Sequence, residues 1–440
     1  MRQGPQRALP RDPQAALPRD LQPPRRREPQ PALQRDPQPP RRHGPQPDLR
    51  HEPRLSRRRG PQLALVAVVQ VLAMGLWFSA SSVVPALRDE WGLGREAGIL
   101  LAVTVQLGFA TGAVLSAAVN LADRARPQVL VAAGSALGAA TTFAFPAAGP
   151  AAAVPLRFVT GFALAAVYPV GMKIVVSWFP RQRGAALGVL VGALTLGSAM
   201  PSLLGGIGDW RAVLDVAAAL ALLAAPVALI LVKPGPDWHP SPPWAPRYVL
   251  DMIRSRPQRL VCLGYFGHMW ELYALWAWLP TYVAAAGSGD SFTIIGVAGA
   301  AGALLGGLLA DRFGRPAVTI GAMLTSAACG LLSAAAWGTP LLAPLLLVWG
   351  AAVIADSAQF SAALSEVADP RYVGTALTAM TAAGFVVSAV TIQLLPLLAD
   401  LTGWRDAVTL LSIGPLLGAA AMTGVRAAAG ARTPRSTGRP

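Results

Sequence analysis

Cysteine is almost missing from this chain. The two present, Cys262 and Cys329, sit inside apolar runs far apart in sequence, which excludes a disulfide framework and any cysteine-based metal spacing. Charge is scarce as well: 13% of residues are charged against 53% hydrophobic, which takes the chain out of the soluble globular range and into the membrane class. Acid is the scarcer sign, with 22 Asp and Glu against 37 Lys and Arg, for a formal charge of +15. That excess does not point to nucleic acid. The basic residues occupy a tail and short loops between apolar runs, where they orient a membrane protein instead of forming a binding stripe. No metal cluster, phosphate loop or nucleophile with a neighbouring base occurs, so neither an enzyme nor a cofactor is expected. A repeated filter or charged ring, as in a channel, is also missing.

What is present is a long succession of apolar runs. Twelve spans are expected at 62–86, 97–121, 128–148, 152–178, 185–207, 212–232, 259–283, 293–310, 317–337, 341–364, 375–398 and 407–428, most near the roughly 20 residues that cross a bilayer as helix. Before them, residues 1–61 form a basic tail rich in Pro, Gln and Arg. Arg11, Arg19, Arg27 and Arg35 recur every eight residues without apolar periodicity, a composition that cannot offset its ordering entropy and reads as disordered. Three readings compete for it: a tail on anionic lipid, a partner-binding tail, or a start site assigned too far upstream. It is not a signal peptide, because no apolar core follows the first arginines. A Pro-rich connector at 233–258 separates bundles at 62–232 and 259–428, and a second tail covers 429–440. Most loop arginines fall on one side of the spans, and only Arg88, Arg95, Arg211 and Arg405 on the other. The positive-inside rule therefore expects both termini and the connector in the cytoplasm, in a cell (inner) membrane.

Within this pattern one decapeptide stands out, Gly307-Leu308-Leu309-Ala310-Asp311-Arg312-Phe313-Gly314-Arg315-Pro316, a charged turn between apolar runs. A degenerate echo, Leu121-Ala122-Asp123-Arg124-Ala125-Arg126-Pro127, lies in the first half. Two further pairs support a repeat: Pro180-Arg181-Gln182-Arg183-Gly184-Ala185-Ala186-Leu187 matches Pro370-Arg371-Tyr372-Val373-Gly374-Thr375-Ala376-Leu377, and Gly208-Asp209-Trp210-Arg211 matches Gly403-Trp404-Arg405. The decapeptide resembles the signature loop of the major facilitator superfamily. The resemblance implies an all-α membrane fold of twelve transmembrane helices in two pseudo-symmetric six-helix bundles. It also implies alternating access, and gating loops in which Asp123, Arg124, Gly307, Asp311, Arg312, Gly314 and Arg315 make and break contacts between the halves. Asp123 and Asp311 are expected near the positive helix N-termini at Gly374 and Gly184.

An ionisable side chain inside a span costs at least about 2.5–3.5 kcal/mol on insertion scales, so each one asks for a reason. Five occur: Arg157 and Lys173 in span four, His268 and Glu271 in span seven, and Asp356 in span ten. In the family that this chain resembles, helices one, four, seven and ten line the central cavity. Gln70, Trp77, Tyr168, Tyr273 and Trp276 complete the expected substrate and proton cavity; Trp276 and Trp278 also suit an interfacial belt. On a straight helix Arg157 and Tyr168 return to within about 20° of one face. Arg157-Phe158-Val159-Thr160-Gly161 resembles the fourth-helix motif of proton-coupled members. Lys173 is expected to snorkel, and Asp215 to pair locally with Arg211. A carboxyl among apolar side chains can exchange protons near neutral pH, so Glu271 is the expected proton carrier, with His268 beside it. The competing reading holds Glu271 permanently against Arg157 or Lys173. Asp356 suits either a cationic substrate group or a pair with Arg157.

The expected function is secondary active transport of a small organic molecule, amphipathic or zwitterionic, coupled to protons and carried out by a monomer in the lipid bilayer. Export is favoured by the glycine-rich fifth span, which resembles that of drug/proton antiporters. Uptake, as in cyanate-permease-like relatives, and a transporter-like sensor without flux are the alternatives. Span two and span eight lack the arginines of the nitrate-type branch, which argues against simple inorganic anions.

Overall fold

The computed structural model describes residues 52–430 except 181, 205–208 and 241–243. The expected tails lie outside the described residues at 1–51 and 431–440, while 52–61, expected as part of the disordered tail, is helical and opens the first span. All regular structure among the described residues is helical. Twelve membrane-length spans follow one another: α1 (Glu52–Ser82), α2 (Arg95–Ala118), α3 (127–148), α4 (150–178), α5 (Arg183–Leu204) and α6 (Trp210–Leu231) in the first half. The second half has α7 (Arg256–Ala286), α8 (Phe292–Phe313), α9 (Arg315–Ala336), α10 (Leu342–Val367), α11 (Val373–Thr402) and α12 (Trp404–Ala427). The helices α3 and α4 form a hairpin that reverses at Gly149, whose φ of 71° suits glycine, and the hydroxyls of Thr141 and Thr160 meet across it at 2.9 Å. Pro127, Pro257 and Pro316 sit in the first turns of α3, α7 and α9, where a missing N–H costs nothing.

Two departures from straight spans matter for the site. The helix α4 breaks at 165–167 and resumes at Tyr168; α10 breaks at Asp356 and resumes at Ser357. Ala166 and Asp356 each lie fourteen residues before the repeated Pro180 and Pro370 turns, so the two breaks are equivalent in the repeat. Because of the break, the straight-helix expectation that aligned Arg157 with Tyr168 does not hold. Arg157 belongs to the first segment and Tyr168 opens the second.

Close backbone approach holds each half together. A methyl group on Gly161 of α4 would meet the Val105 carbonyl of α2 at 2.0 Å, and one on Gly350 of α10 would meet the Ile294 carbonyl of α8 at 1.9 Å. Small residues let helices pack closely where lipid gives no hydrophobic drive between them. The halves meet along two seams, α5 against α8 and α2 against α11. Along the first, Gly188 and Gly192 face Ala303 and Ala300. The end of the bundle bearing the 311–316 turn and the connector is called the loop end below, and the opposite end the far end.

Candidate functional site

Rings fill the middle of the molecule. Trp77 of α1 stacks on Tyr273 of α7 at 5.6 Å between centroids and lies 5.7 Å from Phe385 of α11 and 4.8 Å from Phe109 of α2. Phe109 and Phe385 meet at 4.8 Å across the second seam. Phe78 extends the column to Trp276 at 5.2 Å. Every ring here is buried, and the column bridges the two halves. Trp276 is therefore part of this contact and not an interfacial belt residue. Trp278 is half-buried and donates its indole N–H to the Ile392 carbonyl. Aromatic pairs of this kind add about 0.5–1.5 kcal/mol each beyond the area they bury.

Behind the rings, the deep charges are held inside their own halves. Glu271 is buried between α9 and α10. The Ser326 hydroxyl is shared between its two carboxylate oxygens at 2.8 Å, and the Trp349 indole N–H donates to one of them at 2.6 Å. Neither Arg157 nor Lys173 is among its partners; Lys173 lies over the Trp238 ring of the connector at 4.5 Å. One turn back on α7, His268 places Nδ1 2.9 Å from Asp356 Oδ1 and Nε2 3.2 Å from Ser357 Oγ, at the break in α10. The pair that forms at Asp356 is thus with His268 and not with Arg157.

Arg157 is buried in the first half. Its guanidinium donates to the carbonyls of Leu76 and Trp77 and, more loosely at 3.4 Å, to Ser79 Oγ, while its Nε–H has no partner. No carboxylate pairs with it among the described residues. A cation near a helix C-terminus gains about 0.3–1 kcal/mol, whereas desolvating an ion costs several kcal/mol, so bracing α1 does not by itself offset the burial. Gln70 donates to the Val167 carbonyl, which also accepts the Gly171 N–H, and its own Oε1 is unpartnered. Tyr168 begins the second segment of α4, within electrostatic range of Tyr265 and Tyr273.

At the loop end, Asp311 accepts the Ala185 N–H at 3.2 Å, at the N-terminus of α5, and Gly307 packs on the Gly184 carbonyl. Arg315 reaches Glu366 at 2.6 Å within its own half, Arg312 lies over Phe313, and Gly314 makes the turn with φ 84°. The backbone of Asp123 and Arg124 forms a short helical turn, and the Asp123 side chain lies outside the described residues. At the far end a crevice of about 600 Å³ opens between the end of α5 and the α7–α8 turn. Nearby, Arg211 pairs with Glu90 and not with Asp215 as the sequence suggested, because a short helix between α1 and α2, Val84–Trp91, brings Glu90 alongside. Arg211 and the Trp210 indole hold the Glu90 carboxyl down to about 2.

A family model described as Major Facilitator Superfamily matches residues 66–392. The chain belongs to that superfamily. Its members are transporters. The facilitator is 40% identical over 79 residues to a 3-(3-hydroxy-phenyl)propionate transporter of Escherichia coli (strain K12). That match covers 18% of the chain and spans a fifth of that relative's length. Three solved structures share its fold. A proton:xylose symporter, XylE, bound to 6-bromo-6-deoxy-D-glucose has a TM-score of 0.64 at 15% identity, over 83% of this chain and 96% of that one. FucP in its outward conformation gives 0.62 at 15%, over 82% and 98%. The human organic anion transporter MFSD10 (TETRAN) gives 0.63 at 19%, over 83% and 99%.

Sequence reasoning missed four residues of this facilitator's centre: Gln106, Phe109, Ser326 and Phe385. Gln106, a lone buried amide in an apolar span with both ends unpartnered, carried a signal in its type alone. The other three are ordinary membrane residues whose roles depend on what faces them.

Proposed function

We propose that this chain is a proton-coupled secondary transporter of a small organic molecule, working by alternating access as a monomer in the cell membrane with both termini cytoplasmic. The observation that carries the coupling is the double duty of α7. One face holds Glu271 against Ser326 and Trp349, and Tyr273 and Trp276 stack on the first half. A proton on Glu271 changes its hydrogen bonding to α9 and α10, and any shift of α7 that follows moves the rings that keep the halves together. His268 and Asp356 form a second protonatable pair on the same helix pair. Gly188 and Gly192 of the fifth span pack on α8 and Gly197 on α1, and the resemblance of this span to that of drug/proton antiporters favours export over uptake.

The test is purified protein in liposomes with an imposed pH gradient and an internal pH dye, challenged with organic cations, zwitterions and anions. Compound-dependent proton flux is expected, and its sign gives the direction. Glu271→Gln is expected to bind substrate and exchange it across the membrane while proton flux falls to the leak. Gradient-driven transport by that variant at the wild-type rate would remove Glu271 from the coupling. Lack of any flux from correctly inserted protein across the panel would favour a sensor.

A further inference from the structure

The two halves present opposite situations to a ligand. In the second half Glu271 accepts from Ser326 and Trp349, and Asp356 Oδ1, which has no hydrogen bond of good geometry, lies 2.9 Å from His268 Nδ1. In the first half, Arg157 is 1% exposed, touches only carbonyl and hydroxyl oxygens, keeps its Nε–H unpartnered and has no paired carboxylate among the described residues. We infer that Arg157 anchors the carboxylate of a planar aromatic acid whose ring enters the stack of Trp77, Tyr273 and Phe385. The inference rests on the transport reading above and names the substrate class for that site.

Trp77 joins the two parts of the subsite. Its carbonyl accepts a hydrogen bond from the guanidinium, and its own ring begins the stack, so cation and rings are only a few bonds apart. A carboxylate separated from a ring by a short chain spans both. A guanidinium with an open N–H edge suits a carboxylate, because charge-assisted bonds of this type are about twice as strong as neutral ones. The rings now stack on one another; once the halves part, the same faces accept a flat ligand. Two further buried groups without partners belong to this surface: the Trp77 indole N–H, and the amide of Gln106, one helical turn from Phe109. They offer a donor and an acceptor to a ring hydroxyl. A neutral substrate leaves the guanidinium without a counter-charge.

The test is calorimetric titration of the full chain in lipid nanodiscs, without a pH gradient, with 3-phenylpropionate, its alcohol 3-phenylpropan-1-ol, and hexanoate. The aromatic acid is expected to bind about tenfold or more tightly than either comparison compound. Arg157→Gln is expected to erase the preference for acid over alcohol, and Arg157→Lys to restore part of it. Since Arg157 also braces α1, variants are compared only after thermal unfolding shows them folded, and the three-ligand comparison on the wild-type protein stands without them. Equal binding of acid and alcohol, equal binding of hexanoate, or an acid preference that survives Arg157→Gln would overturn the inference. If an organic cation drives proton flux and no acid binds, transport stands and this subsite falls. If the acid binds and no compound moves protons, the subsite stands and coupling falls.

Discussion

At the scale of single residues, the membrane-buried charges divide into those whose polar atoms are all matched and those with a polar atom left over. Glu271 illustrates the first kind. A carboxylate that accepts from a hydroxyl and an indole is stabilised where an isolated one would be expelled or neutralised. Arg157 illustrates the second, and its open valence is the strongest pointer to a ligand in the molecule. Glu90 lies outside the spans and shows how an exposed acid behaves. The Arg211 guanidinium and Trp210 indole lower its carboxyl from 4.5 to about 2. A depressed acid contributes stability above its ordinary range and loses it only as pH falls through the lowered value. Glu90→Gln is therefore expected to lower the melting temperature by the same small amount at about pH 5 and about pH 8, measured by thermal unfolding in detergent. A loss at one of these values and not the other would mean that Glu90 titrates between them.

At the scale of elements, glycine decides which helices can approach, and the two broken helices decide where polar side chains collect. The α2–α4 contact at Gly161 and the α8–α10 contact at Gly350 are versions of the same packing in each half. A side chain at Gly350 meets backbone and not a flexible chain end, so neither partner can yield cheaply. Gly350→Val is expected to cost more than the roughly 1–3 kcal/mol of ordinary overpacking and to abolish the monodisperse peak in size-exclusion chromatography after extraction. A normal peak would show that α8 and α10 tolerate separation. Polar side chains gather at the breaks: Gln70 on α1 reaches the Val167 carbonyl, and His268 on α7 reaches the side chains of Asp356 and Ser357.

At the scale of the whole molecule, the loop end is closed by Asp311 and Gly307 against the start of α5, the centre by rings, and the far end only by a shallow crevice. A methyl group on Gly184 would lie 2.3 Å from Asp311 Oδ1 and 2.9 Å from the Gly307 carbonyl. Gly184→Ala is expected to cost the closed loop end about 1–3 kcal/mol and to shift a balanced equilibrium about tenfold toward the state open there. Spin labels at Gln182→Cys and Arg312→Cys would report it as a longer distance. An unchanged distribution would mean that the contact does not hold that end shut.

The sequence alone determined the membrane class, the number of spans, the repeat and the identity of the loop at 307–316, because these are written in runs of apolar residues and in local turns. It also isolated the five ionisable residues of the interior, since hydrocarbon makes each of them conspicuous. Their partners belonged to the tertiary structure. Glu271 was expected to face the cavity or a cation, and it lies against Ser326 and Trp349, 55 and 78 residues away. Arg157 was expected on one face with Tyr168, and a break at 165–167, which Pro169 marks in the sequence by its missing N–H, separates them. Periodicity gives a side chain's direction only while its helix stays straight. Which neighbour it meets is fixed by the crossing of helices distant in sequence, and only the fold contains that information.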